Sequence, residues 1–377
     1  MNAPRSYLPS LDAARGLAIL LVIAHNVEMI DSSHLPRGWL QITEFALNIG
    51  WIGVILFFVL SGYLITGILM DTRGRPHALR NFIARRALRI FPLYYGLLAV
   101  VYLLLPALGL QPPLLANSQG MQAWYWTYTV NWAPLFRQAV PDALPHLWSL
   151  GVEEQFYLLW PLLVLPLRSA RAVAGLCLAV VGLSVGVRWA MVHQGVDPEI
   201  IYHWTLTRID ALAMGGLAAA LVRWPAGEAW VTRHRLPLAA WVSGTFLCTF
   251  LLTHGMGRTS IAGMSWGYAV WALLFAYLVH LLADIDQGRQ PAGLIWQWSR
   301  LPGLAAIGQV SYGMYIFHKP LHDLYGRQIA DALHLPAQTI WGELSYVALI
   351  AALAYGLAWL SYQGFERHVL KLKRHFA

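Results

Sequence analysis

Residues 146–161 read HLWSLGVEEQFYLLWP, a stretch apolar enough to enter a membrane that nevertheless carries two adjacent carboxylates, Glu153 and Glu154. On a helix, positions three, four and seven apart share a face. His146, Ser149, Glu153, Tyr157 and Trp160 therefore form one stripe, with Leu147, Leu150, Glu154 and Leu158 beside it. A carboxylate in a bilayer costs about 2.5–3.5 kcal/mol on insertion scales and is usually kept for a function and given a partner. The plainer alternative is a helix-end pair that only fixes packing. His25 ends another apolar run, and imidazole titrates near neutrality. Rising from the inside, it is expected to reach a depth similar to that of Glu153 descending from the outside. A carboxylate that holds the imidazole tautomer and stabilises its charged form makes a general base. Arg85 and Arg89 share a helical face with Arg86 beside them. Such a basic face at the inner surface suits anionic lipid, and equally the phosphates of a soluble donor, since arginine forks match phosphate. Together these groups suit moving an acyl group from a phosphate-bearing cytoplasmic donor to an outer hydroxyl. A proton-coupled transporter would also place His and Glu inside a bundle.

The elements that position these groups must be membrane helices. The chain of 377 residues is 58% hydrophobic and 12% charged, where soluble domains carry about a quarter charged residues. Tryptophan (18) and tyrosine (17) are abundant, as aromatic belts at the two interfaces require. Apolar segments of about 20 residues lie near 11–30, 48–70, 88–109, 147–166, 172–191, 208–222, 238–254, 261–282, 303–323 and 340–362. The fold class is therefore all-α, a polytopic integral membrane protein with about ten transmembrane helices. Residues 71–90 hold Arg73, Arg75, Arg80, Arg85, Arg86 and Arg89, and the tail holds Arg367, Lys371, Lys373 and Arg374. The other loops hold chiefly Arg37, Arg137, Arg258 and Arg327. The positive-inside rule then sets both termini in the cytoplasm. The net charge of +8 is explained by this topology better than by nucleic acid. Cys177 and Cys248 both fall in apolar runs, so neither a disulfide nor a metal framework is expected. No repeat or appended soluble domain is evident, and residues 1–377 read as a single transmembrane domain.

The first segment, SLDAARGLAILLVIAHN, has a short apolar core but no A-x-A-like cleavage site, so it reads as a helix rather than a signal peptide. Ser10 suits its N-cap and Asp12 its positive first turn. Arg15 lies near the cytoplasmic end and His25 about 15 Å deeper. In the second segment, Ser61 and Gly62 sit near mid-membrane. They serve either close helix packing or the lining of a cavity. Residues 110–145 form the longest outer connection, rich in aromatics that suit an interfacial belt or the cover of an acceptor groove. Arg208 and Asp210 open the sixth segment, either anchoring its end or lining the outer site. In the ninth, Tyr312, Tyr315, Lys319 and His322 fall roughly along one face with His318 near it, and a snorkelling lysine is the simplest account. Residues 223–302 carry no chemical signal beyond packing.

Seven stretches, LDAARGLAILLVIAHN, FFVLSGYLIT, RRALRIFPLYY, HLWSLGVEEQFYLLWP, RIDALAMGGLAA, GQVSYGMYIFHKPL and SYQGFERHVLKLKR, occur in this order from residue 11 to the C-terminus. With them the chain resembles the acyltransferase 3 family, integral-membrane O-acyltransferases of bacterial surface glycans and some small molecules. The resemblance implies a ten-helix bundle in the cell inner (cytoplasmic) membrane. It implies acyl-CoA, commonly acetyl-CoA, as donor at the cytoplasmic side, and a carbohydrate or glycosylated acceptor at the other, with no metal. The family's arginine–histidine pair falls on Arg15 and His25, its serine–glycine motif on Ser61 and Gly62, its arginine motif on Arg86 and Arg89, and its glutamate motif on Glu153 and Glu154. His25, Glu153 and Glu154 are then the expected catalytic groups. Arg15, Arg85, Arg86, Arg89, Ser61 and Gly62 are expected on the donor side; His146, Tyr157, Arg208, Asp210 and His318 on the acceptor side. This chain departs from the family in three places. Nine residues rather than ten separate Arg15 from His25, turning them about 80° apart on the helix. Glycine stands at 151 where many members have serine, and Lys319 follows His318 where they have tryptophan. The family's chemistry leaves the acceptor, the acyl chain and a direct or acyl-enzyme route open. A multi-helix exporter of an acylated or anionic compound is the alternative function.

Overall fold

The computed structural model describes residues 8–27, 49–110, 112–138, 143–289, 297, 299, 301–336 and 339–376. The expected extension of the first segment to residue 30, and the outer-loop Arg37, lie outside these residues. Every regular element among the described residues is helical. The principal helices are α1 (Pro9–Asn26), α2 (Ile52–Thr72), α3 (Ala78–Ala99), α4 (Trp148–Val164), α5 (Ala170–His193) and α6 (Thr205–Val222). They continue with α7 (Arg235–Leu252), α8 (Tyr268–Asp286), α9 (Pro302–Gln309), α10 (Ser311–Pro320) and α11 (Ile340–Ser361).

Each of the segments expected from the sequence contains a helix, but their characters differ. Among the described residues, 7 helical stretches are long and apolar enough to cross a membrane: Ile49–Thr72, Ala78–Ala107, Ala170–His193, Pro198–Val222, Arg235–Leu252, Gly263–Asp286 and Ile340–Phe376. The other expected spans are diluted by the residues singled out for chemistry. Helix α1 carries Ser10, Asp12, Arg15, His25 and Asn26, and α4 has 17 residues including both glutamates. The ninth segment is broken at Val310 into α9 and α10. These polar helices pack against their neighbours in the bundle: α1 against α2 and α9, α4 against α2, and α10 against α11.

Two local expectations are corrected. Residues 71–90 are not a loop: α3 begins at Ala78, so Arg80, Arg85, Arg86 and Arg89 stand on its first turns. The run from 78 to 91 is free of glycine and proline and rich in Ala, Leu and Arg, which favour helix. Ser10 is not the N-cap, because α1 starts at Pro9 and Ser10 lies inside its first turn. Its backbone N–H and hydroxyl instead donate to the Asp286 carboxylate at 2.9 and 2.8 Å, so the end of α8 caps the start of α1.

Helices α2 and α6 cross at a glycine on each side. A Cβ at Gly62 would lie 1.8 Å from the Leu212 carbonyl oxygen, and one at Gly215 would lie 2.0 Å from that of Val59. Only glycine permits this approach. Asp210 of α6 pairs with Arg188 of α5 at 2.7 Å, both fully buried, so a charged clamp joins these two helices.

The bundle has two distinct ends. At one, Arg223 after α6 forks onto Asp71 of α2 at 2.7 and 2.9 Å, and Arg289 after α8 reaches Asp284 and Glu228. Ser10 and Asp286 meet there too. At the opposite end, the last turn of α1 and the lead-ins to α2 and α4 surround a cavity with Glu199, His203 and Arg258.

Candidate functional site

Three cavities lie in series through the polar helices. The first is a vestibule of about 760 Å³ at the end marked by Asp71 and Arg223, walled by α1, α2, Gln287, Gln309 and Tyr362. The second is a narrow chamber of about 110 Å³ lined by Ser61, Arg86, Glu153, Tyr157 and Tyr312, among others. Arg15, Leu64 and Arg89 belong to the walls of both. The third, about 260 Å³ at the opposite end, is lined by His25, Asn26, Trp51, His146, Trp148, Glu199, Tyr202, His203 and Arg258. Val54 and Tyr315 belong to the walls of both the narrow chamber and this outer cavity.

The narrow chamber gathers the stripe expected on α4. Ser149, Glu153 and Tyr157 face it, as the helical spacing requires. Glu154, one residue round the helix, is buried outside the three cavities, and its Oε1 has no hydrogen-bond partner among the described residues. Ser61 faces the same space, its hydroxyl 2.5 Å from that of Tyr157. Arg86 lies over the Tyr157 ring, 5.8 Å from its centroid. Arg86 and Arg89, one turn apart on α3, line the chamber together, whereas Arg85 is exposed. Of the three, Arg86 and Arg89, the pair that the resemblance implies, line the chamber, and Arg85 does not. The chamber wall holds three arginines, Arg15, Arg86 and Arg89, and one carboxylate, Glu153, so it favours an anion. Arg15 itself pairs with Asp12 at 2.8 Å. The chamber is basic where it adjoins the vestibule, and Val54, Phe57, Leu60 and Leu150 give it an apolar lining.

His25 and Glu153, expected at similar depths, line different cavities: Glu153 the narrow chamber, His25 the outer one. Arg15 and His25 likewise point into different cavities, consistent with their 80° offset. His146 joins His25 in the outer cavity, and its ring centroid lies 5.1 Å from that of His318. His318 is buried behind this wall. Its Nδ1–H donates to the Tyr315 carbonyl at 2.8 Å, which leaves Nε2 to accept from the Asn26 amide at 3.2 Å. It thus positions the end of α1, next to His25, rather than lining the space.

Gly62, Arg208 and Asp210 do not line these cavities. Gly62 is consumed by the α2–α6 crossing and Asp210 by Arg188. Arg208 is fully buried in an aromatic box, its guanidinium carbon 4.4 Å from the Tyr268 ring centroid and 4.8 Å from that of Tyr202. Cation–π attraction offsets part of the desolvation of such a charge. The Lys319 ammonium bonds Asp323 at 2.6 Å, one turn away. Gly151 has a local reason too. A Cβ there would lie 2.8 Å from both Asn131 Oδ1 and the Tyr128 carbonyl, so a serine would displace the outer connection.

Several lining residues escaped the sequence reading. Asn26, Trp51, Glu199, Tyr202 and His203 come from helix ends and a short helix at Pro198–His203, and Arg258 from a region that reads as packing alone. Arg258 pairs with Glu199 at 3.1 Å. The only sequence signal for this pair is a charge on each of two loops assigned to the same side of the membrane.

Comparison with known proteins agrees with this architecture. The family model for an acyltransferase domain, that of the acyltransferase 3 family, matches residues 8–363. The chain is 30% identical over 370 residues to the peptidoglycan O-acetyltransferase OatA of Listeria monocytogenes, covering 93% of this chain and 55% of that protein. It is 28% identical over 371 residues to the O-acetyltransferase OatA of Staphylococcus aureus, covering 94% of this chain and 57% of the relative. The chain thus spans a little over half the length of these curated relatives. No solved structure matches it significantly. A family match extending across nearly the whole described bundle, from the first turn of α1 to the end of α11, establishes that this chain belongs to the acyltransferase 3 family.

Proposed function

We propose that this protein is an O-acyltransferase of the cytoplasmic membrane that moves an acetyl group from acetyl-CoA inside to a glycan hydroxyl outside. In this reading the chain crosses the bilayer ten times, with both termini in the cytoplasm. The observation that carries it is the series of cavities, each sharing wall residues with the next, from the end bearing Asp71 and Arg223 to the end bearing His25. The relatives' names supply the acetyl group and, for the Listeria protein, peptidoglycan as the acceptor class.

Acetyl-CoA enters the wide vestibule, and Arg15 and Arg89 at its throat, with Arg86 beyond, hold its phosphates. The apolar lining beyond them accommodates the acyl-bearing arm. Glu153 balances the arginine charge and, with Ser61 and Tyr157, lines the passage. The acceptor hydroxyl enters the outer cavity, where rings of Trp51, Trp148 and Tyr202 offer faces to a sugar and polar groups offer hydrogen bonds. His25 takes the hydroxyl proton as the oxygen attacks the thioester carbonyl. The carbon–sulfur bond then breaks, and the proton passes from the imidazolium to the departing CoA thiolate. The balance is acetyl-CoA plus alcohol giving ester plus CoA, with no metal required.

The test is to incubate the purified protein in liposomes with radiolabelled acetyl-CoA and soluble peptidoglycan fragments. Release of CoA with label on the fragments supports transfer. Label crossing the membrane as unchanged acetyl-CoA, with none on the fragments, would establish a carrier instead.

A further inference from the structure

Among the described residues, the narrow chamber and the outer cavity share two wall residues, Val54 of α2 and Tyr315 of α10. Val54 is a β-branched residue on a helix, held to essentially one rotamer, so it is a fixed edge. Tyr315 is held differently. It is buried, with its hydroxyl 2.7 Å from the His146 carbonyl and 2.5 Å from the Ser149 hydroxyl. A phenol has one proton. If it goes to the carbonyl, the Ser149 hydroxyl must donate to the Tyr315 oxygen. The ring packs edge-on against Phe57 at 6.3 Å and touches His146 and His318, with centroids 5.4 and 5.5 Å away. One side chain of α10 thus stands in the wall common to the two cavities and is latched to Ser149 in the first turn of α4 and to the His146 carbonyl just before it.

We infer that Tyr315 is a positioning residue that separates the donor chamber from the outer cavity and admits the thioester to acceptor rather than to water. The inference rests on the acyl-transfer reading. A thioester exposed to water is lost when a water oxygen bonds the carbonyl carbon and the carbon–sulfur bond breaks, giving acetate and CoA. A closed partition prevents this. Swinging the Tyr315 ring about its own torsions releases two hydrogen bonds and its packing against Phe57, His146 and His318. One of those bonds goes to the backbone carbonyl of His146, which lines the outer cavity where an arriving acceptor would meet it; the other goes to Ser149 in the chamber wall. Opening is thereby tied to acceptor binding.

The experiment measures CoA release from radiolabelled acetyl-CoA by detergent-purified protein, without and with soluble peptidoglycan fragments, counting acetate and acetylated fragment separately. Wild type, Tyr315→Phe, Tyr315→Ala and Ser149→Ala are compared. Tyr315→Ala, which removes the partition, is expected to raise acceptor-independent acetate formation relative to transfer by about tenfold, since water exclusion is lost. Tyr315→Phe, which keeps the ring and removes both latching bonds, and Ser149→Ala, which keeps the ring and removes one of them, are expected to raise it severalfold. Should Tyr315→Ala fail to fold, those two milder variants decide the matter. Acetate-to-ester ratios equal to wild type in the folded variants overturn the inference, even if total turnover falls. A wild-type protein that releases no CoA and labels no fragment overturns the acyl-transfer reading itself, so the two failures are told apart.

Discussion

His25 stands at the end of α1 in the outer cavity, apart from the basic chamber. If it is the base, His25→Ala should lower transfer by about 10²–10⁴-fold, the usual worth of a positioned base, while acetyl-CoA binding persists. Ser61→Ala should retain measurable turnover, because direct attack by the acceptor does not use that hydroxyl; complete loss would favour an acyl-serine route. Glu153→Gln should cost more turnover than Glu154→Gln, since Glu153 faces the chamber and Glu154 does not. Equal folding of the two variants is the control, and the reverse order would contradict the facing. That facing was readable from sequence, because helical periodicity alone fixes which residues of α4 share a side. The depth relation between His25 and Glu153 was not: it depends on where α1 and α4 pass each other, which no local pattern encodes. Asn26, Glu199 and Arg258 were invisible for the same reason, coming from segments that meet only in the folded bundle.

At the scale of elements, helix positions were legible because long apolar runs must be helical in a bilayer. The break at Val310 and the early start of α3 at Ala78 were not, since packing rather than hydropathy sets them. For Gly62 the sequence offers packing and cavity lining equally, and the carbonyl of Leu212 on the opposing helix decides for packing. Gly62→Val should therefore destabilise the bundle by at least about 1–3 kcal/mol, as overpacking does, read as a lower thermal midpoint in detergent. An unchanged midpoint would contradict the close crossing. Asp210→Ala strands the Arg188 guanidinium inside the bundle. Loss of one partner of a buried pair costs about 3–5 kcal/mol, so this variant should be hard to recover folded. Full stability would show that the clamp is not needed.

For the whole molecule, the polar helices together with α2 wall a series of cavities from a basic end to an aromatic one. Arg89 stands in the wall shared by vestibule and chamber. Arg89→Ala should weaken CoA binding by about 1.5–3 kcal/mol, the value of a charge-assisted bond, and leave acceptor binding nearly unchanged. Unaltered CoA affinity at low salt would remove Arg89 from the donor site. The central claim is that donor and acceptor are served from opposite faces. It is tested most directly in proteoliposomes of determined orientation, with radiolabelled acetyl-CoA confined to the face bearing Arg223 and membrane-impermeant peptidoglycan fragments confined to the face bearing Arg258. The account predicts labelled fragments in this arrangement, CoA retained on the donor side, and neither product when the two compartments are exchanged. Labelling only when donor and acceptor share one compartment would contradict it.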